Sequence, residues 1–199
     1  MWILIVLGAL VVLLAAGLLT LRILMKKVMA ERPSVPRRFP LEDGKRALLL
    51  YQPTRHGTAD GFADLIARGL NARGYDVTVD TVGAVRGENP EDFELLIFGT
   101  GAYFGLAGFP VLRYLREHPF SRKQVVLFSV GSNLGADPEI DQMRAELAPV
   151  NLVYRIKVSR GQEEVLRDFV ARLELENPDF ESIAEEESEE EEEDSAEEE

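Results

Sequence analysis

Residues 2–21 run without a single charge, and their apolar side chains cover every helical face instead of one stripe. A bilayer core takes about 20 apolar residues to cross as a helix. Arg22, Lys26, Lys27, Arg32, Arg37 and Arg38 follow, and no Lys or Arg precedes. The pattern predicts a transmembrane anchor with a basic edge over residues 1–28. The positive-inside rule then makes the chain a single-pass protein of the cell membrane with its C-terminal domain in the cytoplasm. A cleavable signal peptide is the rival. It wants a basic start, a shorter apolar stretch and a small-residue exit, whereas Ala15 and Ala16 lie inside the run.

Residues 29–44 carry Pro33, Pro36, Pro40 and Gly44 with no sustained period, which predicts a linker. From 45 to 176 short apolar runs alternate with helical spacings. Residues 47–51 (Ala-Leu-Leu-Leu-Tyr) fit a strand buried on both faces. Ala59, Phe62, Ala63, Ile66, Ala67 and Leu70 recur at steps of three and four, predicting a helix that Gly74 closes. Further strands are expected at 75–82, 93–98, 124–130 and 152–158. Helices are expected at 111–117, around Ile140, Met143 and Leu147, and through Val165, Leu166, Phe169, Val170 and Leu173. Such alternation predicts an α/β fold, a doubly wound parallel sheet of five strands in the order 2-1-3-4-5. Ligands of open parallel sheets bind beyond the carboxyl ends of the strands, at the switch between the first and third.

The net charge of −13 belongs to one segment. Residues 177–199 hold fourteen of the 35 acids and no base, which leaves 21 acids against 22 bases elsewhere. That Glu-rich tail has too little apolar surface to fold and is expected to be disordered. It either keeps the protein soluble or attracts a basic partner. The absence of cysteine excludes disulfides, thiolate nucleophiles and cysteine metal sites. With two histidines, His56 and His118, no metal centre is expected. No Ser–His–Asp set is assembled, no catalytic residue can be named, and a nucleic-acid partner is not expected.

Three loops at the carboxyl edge hold the candidate chemistry. The first carries Thr54, Arg55, His56, Gly57 and Thr58 between the first strand and its helix. Helix-start amides and the helix dipole favour an anion there, a phosphate being the natural guest. Thr58 would alternatively serve only as the helix cap. The spacing is neither a Walker loop nor a dinucleotide fingerprint. The second loop carries Thr100, Gly101, Ala102, Tyr103, Phe104 and Gly105, where glycines enclose two aromatics that either stack on a planar ligand or pack inward. The third carries Ser129, Gly131, Ser132 and Asn133, small groups suited to a ring's other side or to a plain strand–helix connection.

The segment Leu50-Tyr51-Gln52-Pro53-Thr54-Arg55-His56-Gly57-Thr58-Ala59 resembles the first loop of flavodoxin-like domains, in particular the branch with the flavodoxin-type protoporphyrinogen dehydrogenases. Phe98-Gly99-Thr100-Gly101-Ala102-Tyr103-Phe104-Gly105 resembles their second flavin loop, and the strand end Leu127-Phe128-Ser129-Val130-Gly131 is similar too. His56 stands where flavodoxins usually carry Thr. The resemblance implies non-covalent FMN. The first loop would hold its phosphate, and the second and third would bracket its isoalloxazine. The function implied is a membrane-tethered flavodoxin-like protein in electron transfer or oxidoreduction, serving a quinone or porphyrin-type redox partner. Enzyme and carrier are not separated. The alternative is a degenerate, flavin-free flavodoxin fold acting as a membrane-attached interaction module.

Overall fold

The computed structural model describes residues 2–28, 33, 36–54, 56–83, 89–118, 120, 123–147 and 152–175. The acidic tail, part of the predicted linker, and Arg55 lie outside them. Helix α1 spans Trp2–Val28. Among the described residues it is the one helix long and apolar enough to cross a membrane, and a signal sequence near an N-terminus has the same character.

The remaining elements alternate in chain order: β1 (Arg37–Phe39), β2 (Lys45–Tyr51), α2 (Thr58–Asn71), β3 (Tyr75–Thr81), a 3-10 turn (Pro90–Asp92), β4 (Leu95–Gly101), α3 (Phe109–Glu117), β5 (Gln124–Val130), α4 (Pro138–Arg144), β6 (Leu152–Val158) and α5 (Glu163–Arg172). The strands form one sheet in the order β1-β3-β2-β4-β5-β6. From β3 to β6 every pairing is parallel, and these five strands follow the expected order. The addition is β1, an antiparallel edge strand inside the segment read as linker, with Arg37 beside Val79 and Phe39 beside Val77. Its three residues carry no apolar period. Its place is fixed by tertiary contacts: Asn71 donates to the Phe39 carbonyl at 2.9 Å, and the Arg68 guanidinium lies over the Phe39 ring.

Helices cover both faces. Ala47, Leu49 and Tyr51 of β2 pack with α2 and α5, while Leu48 and Leu50 pack with α3 and α4. Alternate residues of one strand thus enter two different cores, so the run reads as continuously apolar. The third strand begins at Leu95, two residues later than the sequence suggests, because Phe93 closes the 3-10 turn and is buried beside the sheet instead of within it. Helix α3 begins two residues early, at Phe109, with Pro110 in its first turn where a missing N–H costs nothing.

At the centre of the sheet the Phe128 ring occupies the space beside Gly99. A Cβ at Gly99 would stand 2.0 Å from that ring. Gly99→Ala is therefore expected to cost about 1–3 kcal/mol as an overpacking change. Urea denaturation in mild detergent should show a lower midpoint at unchanged slope; an unchanged midpoint would mean that the ring swings aside freely.

Candidate functional site

The carboxyl ends of β2, β4 and β5 lie side by side, so the three loops singled out in the sequence share one edge of the sheet. In the first, Gly57 has φ +69°, a left-handed conformation that glycine adopts without a Cβ clash, and it is the residue at which α2 begins. The helix start is closed by Thr54, not by Thr58. The Ala59 N–H donates to the Thr54 hydroxyl at 3.1 Å, and the Gly57 N–H donates to the Thr54 carbonyl at 3.2 Å. Thr58 is the first helical residue and makes no side-chain cap. His56 and Gly57 are exposed, and Thr54 and Thr58 half-buried.

Beneath this loop Tyr51 donates its hydroxyl to Asp60 at 2.9 Å and accepts from Arg37 at 2.9 Å. Arg37 also pairs with Asp64 at 2.6 Å. Burial first, and the Asp60 charge second, push the Tyr51 phenol above its ordinary pKa, so it stays protonated as a donor.

The second loop turns back on itself. Tyr103 and Leu106 exchange two backbone hydrogen bonds at 3.0 Å, and the two residues between them, Phe104 (φ 55°) and Gly105 (φ 77°), both adopt positive φ. This is the primed type of two-residue turn. A left-handed conformation costs a residue with a Cβ roughly 1–2 kcal/mol. Phe104 bears that strain while 84% exposed. Gln142 of α4 holds the turn from behind, donating to the Gly105 carbonyl at 3.0 Å and accepting from the Ala107 N–H at 3.1 Å. Thr100 faces inward: it is fully buried, accepts from the Gly108 N–H at 2.8 Å and donates to the Gly101 carbonyl at 3.1 Å. Gly101 is buried, with the Tyr103 ring and the Thr54 methyl close above its Cα.

Between the second and third loops lies an open cleft of about 450 Å³. Ala102, Tyr103, Phe104 and Gly105 form one wall, Ser132 and Asn133 another, and Ala136, Pro138 and Lys157 complete it. Gly131 lies behind two of these residues, where a Cβ would meet Ala102 at 2.8 Å and the Lys157 side chain at 3.1 Å. Ser129 does not reach the cleft; it is buried and donates to Glu139 at 2.7 Å. The structure thus gathers Ala102, Tyr103, Phe104, Gly105, Ser132 and Asn133 at one opening. It assigns Thr100 and Ser129 to the scaffold behind it.

Two ionisable residues escaped the sequence reading. Lys157 Nζ pairs with Glu139 at 2.7 Å and donates to the Ala136 carbonyl, and Glu139 is fully buried. Burial alone would raise the Glu139 carboxyl. Hydrogen bonds from Lys157, Ser129 and its own backbone, with the Lys157 charge, outweigh it and hold the group below its ordinary value. Among the described residues Glu139 Oε2 has no hydrogen-bond partner. The available signals were a lysine one residue from the end of the last strand and a glutamate directly after Pro138 at a helix start.

No family model matches this chain, and no curated protein matches its sequence. Among solved structures it is similar to oxidised flavodoxin 1 from Bacillus cereus, at 13% identity over 64% of this chain and 95% of that one, with a TM-score of 0.52. Flavodoxin 2 from Bacillus cereus matches at 17% identity over 63% and 95%, with a TM-score of 0.50. A flavodoxin variant from Pseudomonas aeruginosa matches at 13% identity over 63% and 97%, also at 0.50. At such identities the likeness establishes the fold: residues behind α1 form a flavodoxin-like α/β domain.

Breaking the Glu139–Lys157 pair from one side should strongly destabilise this edge. Glu139→Gln leaves a nearly buried cation without its counter-charge, a change that costs about 3–5 kcal/mol. The Glu139 carboxyl is lowered in the folded state, so its contribution is present above the ordinary carboxylate pKa of about 4.3 and is lost as pH falls through the lower folded value. The stability gap between wild type and Glu139→Gln, measured by urea titration, should therefore narrow on acidification from pH 7 to pH 3. A constant gap would remove the charge from the explanation.

Proposed function

We propose that this is a membrane-tethered, FMN-binding flavodoxin-like protein that transfers electrons to or from a lipid-soluble or membrane-bound partner of quinone or porphyrin type. One observation carries the reading: a cleft of about 450 Å³ at the carboxyl edge, lined by uncharged residues apart from Lys157, with a strained aromatic, Phe104, presented at its mouth. That volume falls in the range of cofactor pockets, about 300–1,000 Å³. Ala102 to one side and Ser132 with Asn133 to the other would flank the ring, and Phe104 or Tyr103 would stack on it. Gly131 supports the fit, since any side chain there would press on Ala102 and Lys157, two residues that line the cleft. The start of α2, with Thr54, Gly57 and Thr58, would face the phosphate. Bound FMN would supply reversible redox chemistry, while the protein supplies orientation and the electrostatic surroundings that set its potential. The apolar α1 supports the tether, with its basic end cytoplasmic.

One feature favours a second reading, a flavin-free interaction module. The Tyr103 ring stands over Gly101 beside Thr54, between the first loop and the cleft, and Thr54 already takes the Gly57 and Ala59 amides. The two readings separate on colour. The full chain purified in detergent should be yellow and release FMN on heating; colourless protein that quenches no added FMN fluorescence would leave the interaction module. Phe104→Ala should weaken FMN binding roughly 2- to 13-fold, the worth of one aromatic contact. An unchanged Kd would move the stacking role to Tyr103.

A further inference from the structure

We propose that the carboxyl edge of the sheet, around the cleft, is the face this domain presents to a lipid bilayer. The inference rests on the reading of α1 as a membrane anchor; it does not depend on which cofactor the cleft holds. Three observations converge on it.

Apolar exposure is concentrated there. Outside α1, the exposed large hydrophobics among the described residues are Leu41, Phe104, Leu106, Phe109, Leu134 and Val165. Three of the six, Phe104, Leu106 and Leu134, sit on the two loops that wall the cleft, and a fourth, Phe109, opens α3 directly behind the second loop. Isolated exposed apolar residues are ordinary, but a cluster on adjoining loops marks a surface that meets something apolar.

Charge is missing from the same surface. Residues 95–112 and 124–136, which include both loops, contain no Asp, Glu, Lys or Arg. Lys157, the charged residue lining the cleft, is paired with Glu139. Moving these two loops into the headgroup region would bury no charge of their own, and buried unpaired charge is the main cost that keeps protein surfaces out of lipid. Aromatic and aliphatic side chains on a neutral rim suit insertion of about 5–10 Å at the interface.

The chain enters the domain at this edge. Thr81, the last residue of β3, donates its hydroxyl to the Pro33 carbonyl at 3.3 Å, and Arg37 pairs with Val79. Both contacts lie at the carboxyl end of β3. Helix α1 ends at Val28, five residues before Pro33. Even fully extended, those five span at most about 18 Å. The carboxyl edge is therefore held close to the end of the anchor. The amino ends of the strands lie farther by a strand length, about 23 Å for seven residues. A lipid-soluble partner would then reach the cleft without leaving the membrane.

The absence of native cysteine makes the test direct. Full-length Leu106→Cys and Leu134→Cys chains, with Glu42→Cys at the opposite edge as control, would each carry an environment-sensitive fluorophore. They would be reconstituted into phosphatidylcholine vesicles with and without brominated acyl chains. Quenching by bromine should be several-fold stronger at 106 and 134 than at 42. Equal quenching at both edges, in chains that float with the vesicles, overturns the docking face and leaves the anchor standing. Chains that fail to float overturn the anchor and this proposal with it. Fluorescence at 106 and 134 that ignores bromine but changes with the protein-to-lipid ratio assigns the patch to a second copy of the chain and overturns it as well.

Discussion

Burial of the parallel sheet on both faces is the constraint from which the rest follows. A strand covered by α2 and α5 on one side and by α3 and α4 on the other has no free surface along its length. Backbone and side-chain chemistry is left only where strands end. Because β2, β4 and β5 run parallel, those ends fall together on one edge, with helix starts directed at the same space. The fold thus supplies a place for a ligand before any particular residue is chosen. Close approach inside the sheet keeps this edge compact: Phe128 packs on Gly99, and the Gln52 side chain occupies the space a Cβ at Gly108 would need.

Against that apolar background the Ser129–Glu139–Lys157 group stands out. A buried carboxylate is costly unless its partners are fixed, and here Glu139 on α4 is held by Ser129 of β5 and Lys157 of β6. The pairing locks α4 against β5 and β6, the last two strands at one side of the sheet. Gln142, one turn further along α4, then holds the Phe104–Gly105 turn. The strain at Phe104 persists because the structure around it is over-determined. The polar group beneath and the strained aromatic above are linked through one short helix.

Periodicity made most of the fold legible. Runs such as 47–51 and the spacing Ala59, Phe62, Ala63, Ile66 and Ala67 give strand and helix because burial alone dictates them. β1 was not legible: Arg37, Arg38 and Phe39 have no period, and their strand exists only because β3 offers an open edge and α2 offers Arg68 and Asn71. At the site, loop position was readable but side-chain direction was not. Thr100 and Ser129 have the composition of ligand-binding hydroxyls, yet each satisfies a buried partner distant in sequence, the Gly108 amide and the Glu139 carboxylate. Which of two adjacent aromatics points outward depends on the sign of φ at Phe104, which sequence spacing does not encode.

The same edge strand also bears on the electrostatics of the first loop. Asp60 lies in the first turn of α2 and Asp64 one turn on, both on the side of Tyr51. Carboxylates there are favoured by the helix dipole, but they compete with any external anion for the same positive end. Arg37, brought in by β1, pairs with Asp64 directly and bonds the Tyr51 hydroxyl that Asp60 accepts. It therefore neutralises much of the negative charge that would otherwise face the loop. Without β1 the start of α2 would present two acids to an approaching phosphate. With it, the segment joining the apolar helix to the domain becomes part of the electrostatic frame of the candidate site, so the entry of the chain into the domain and the charge around the first loop are set by the same three residues.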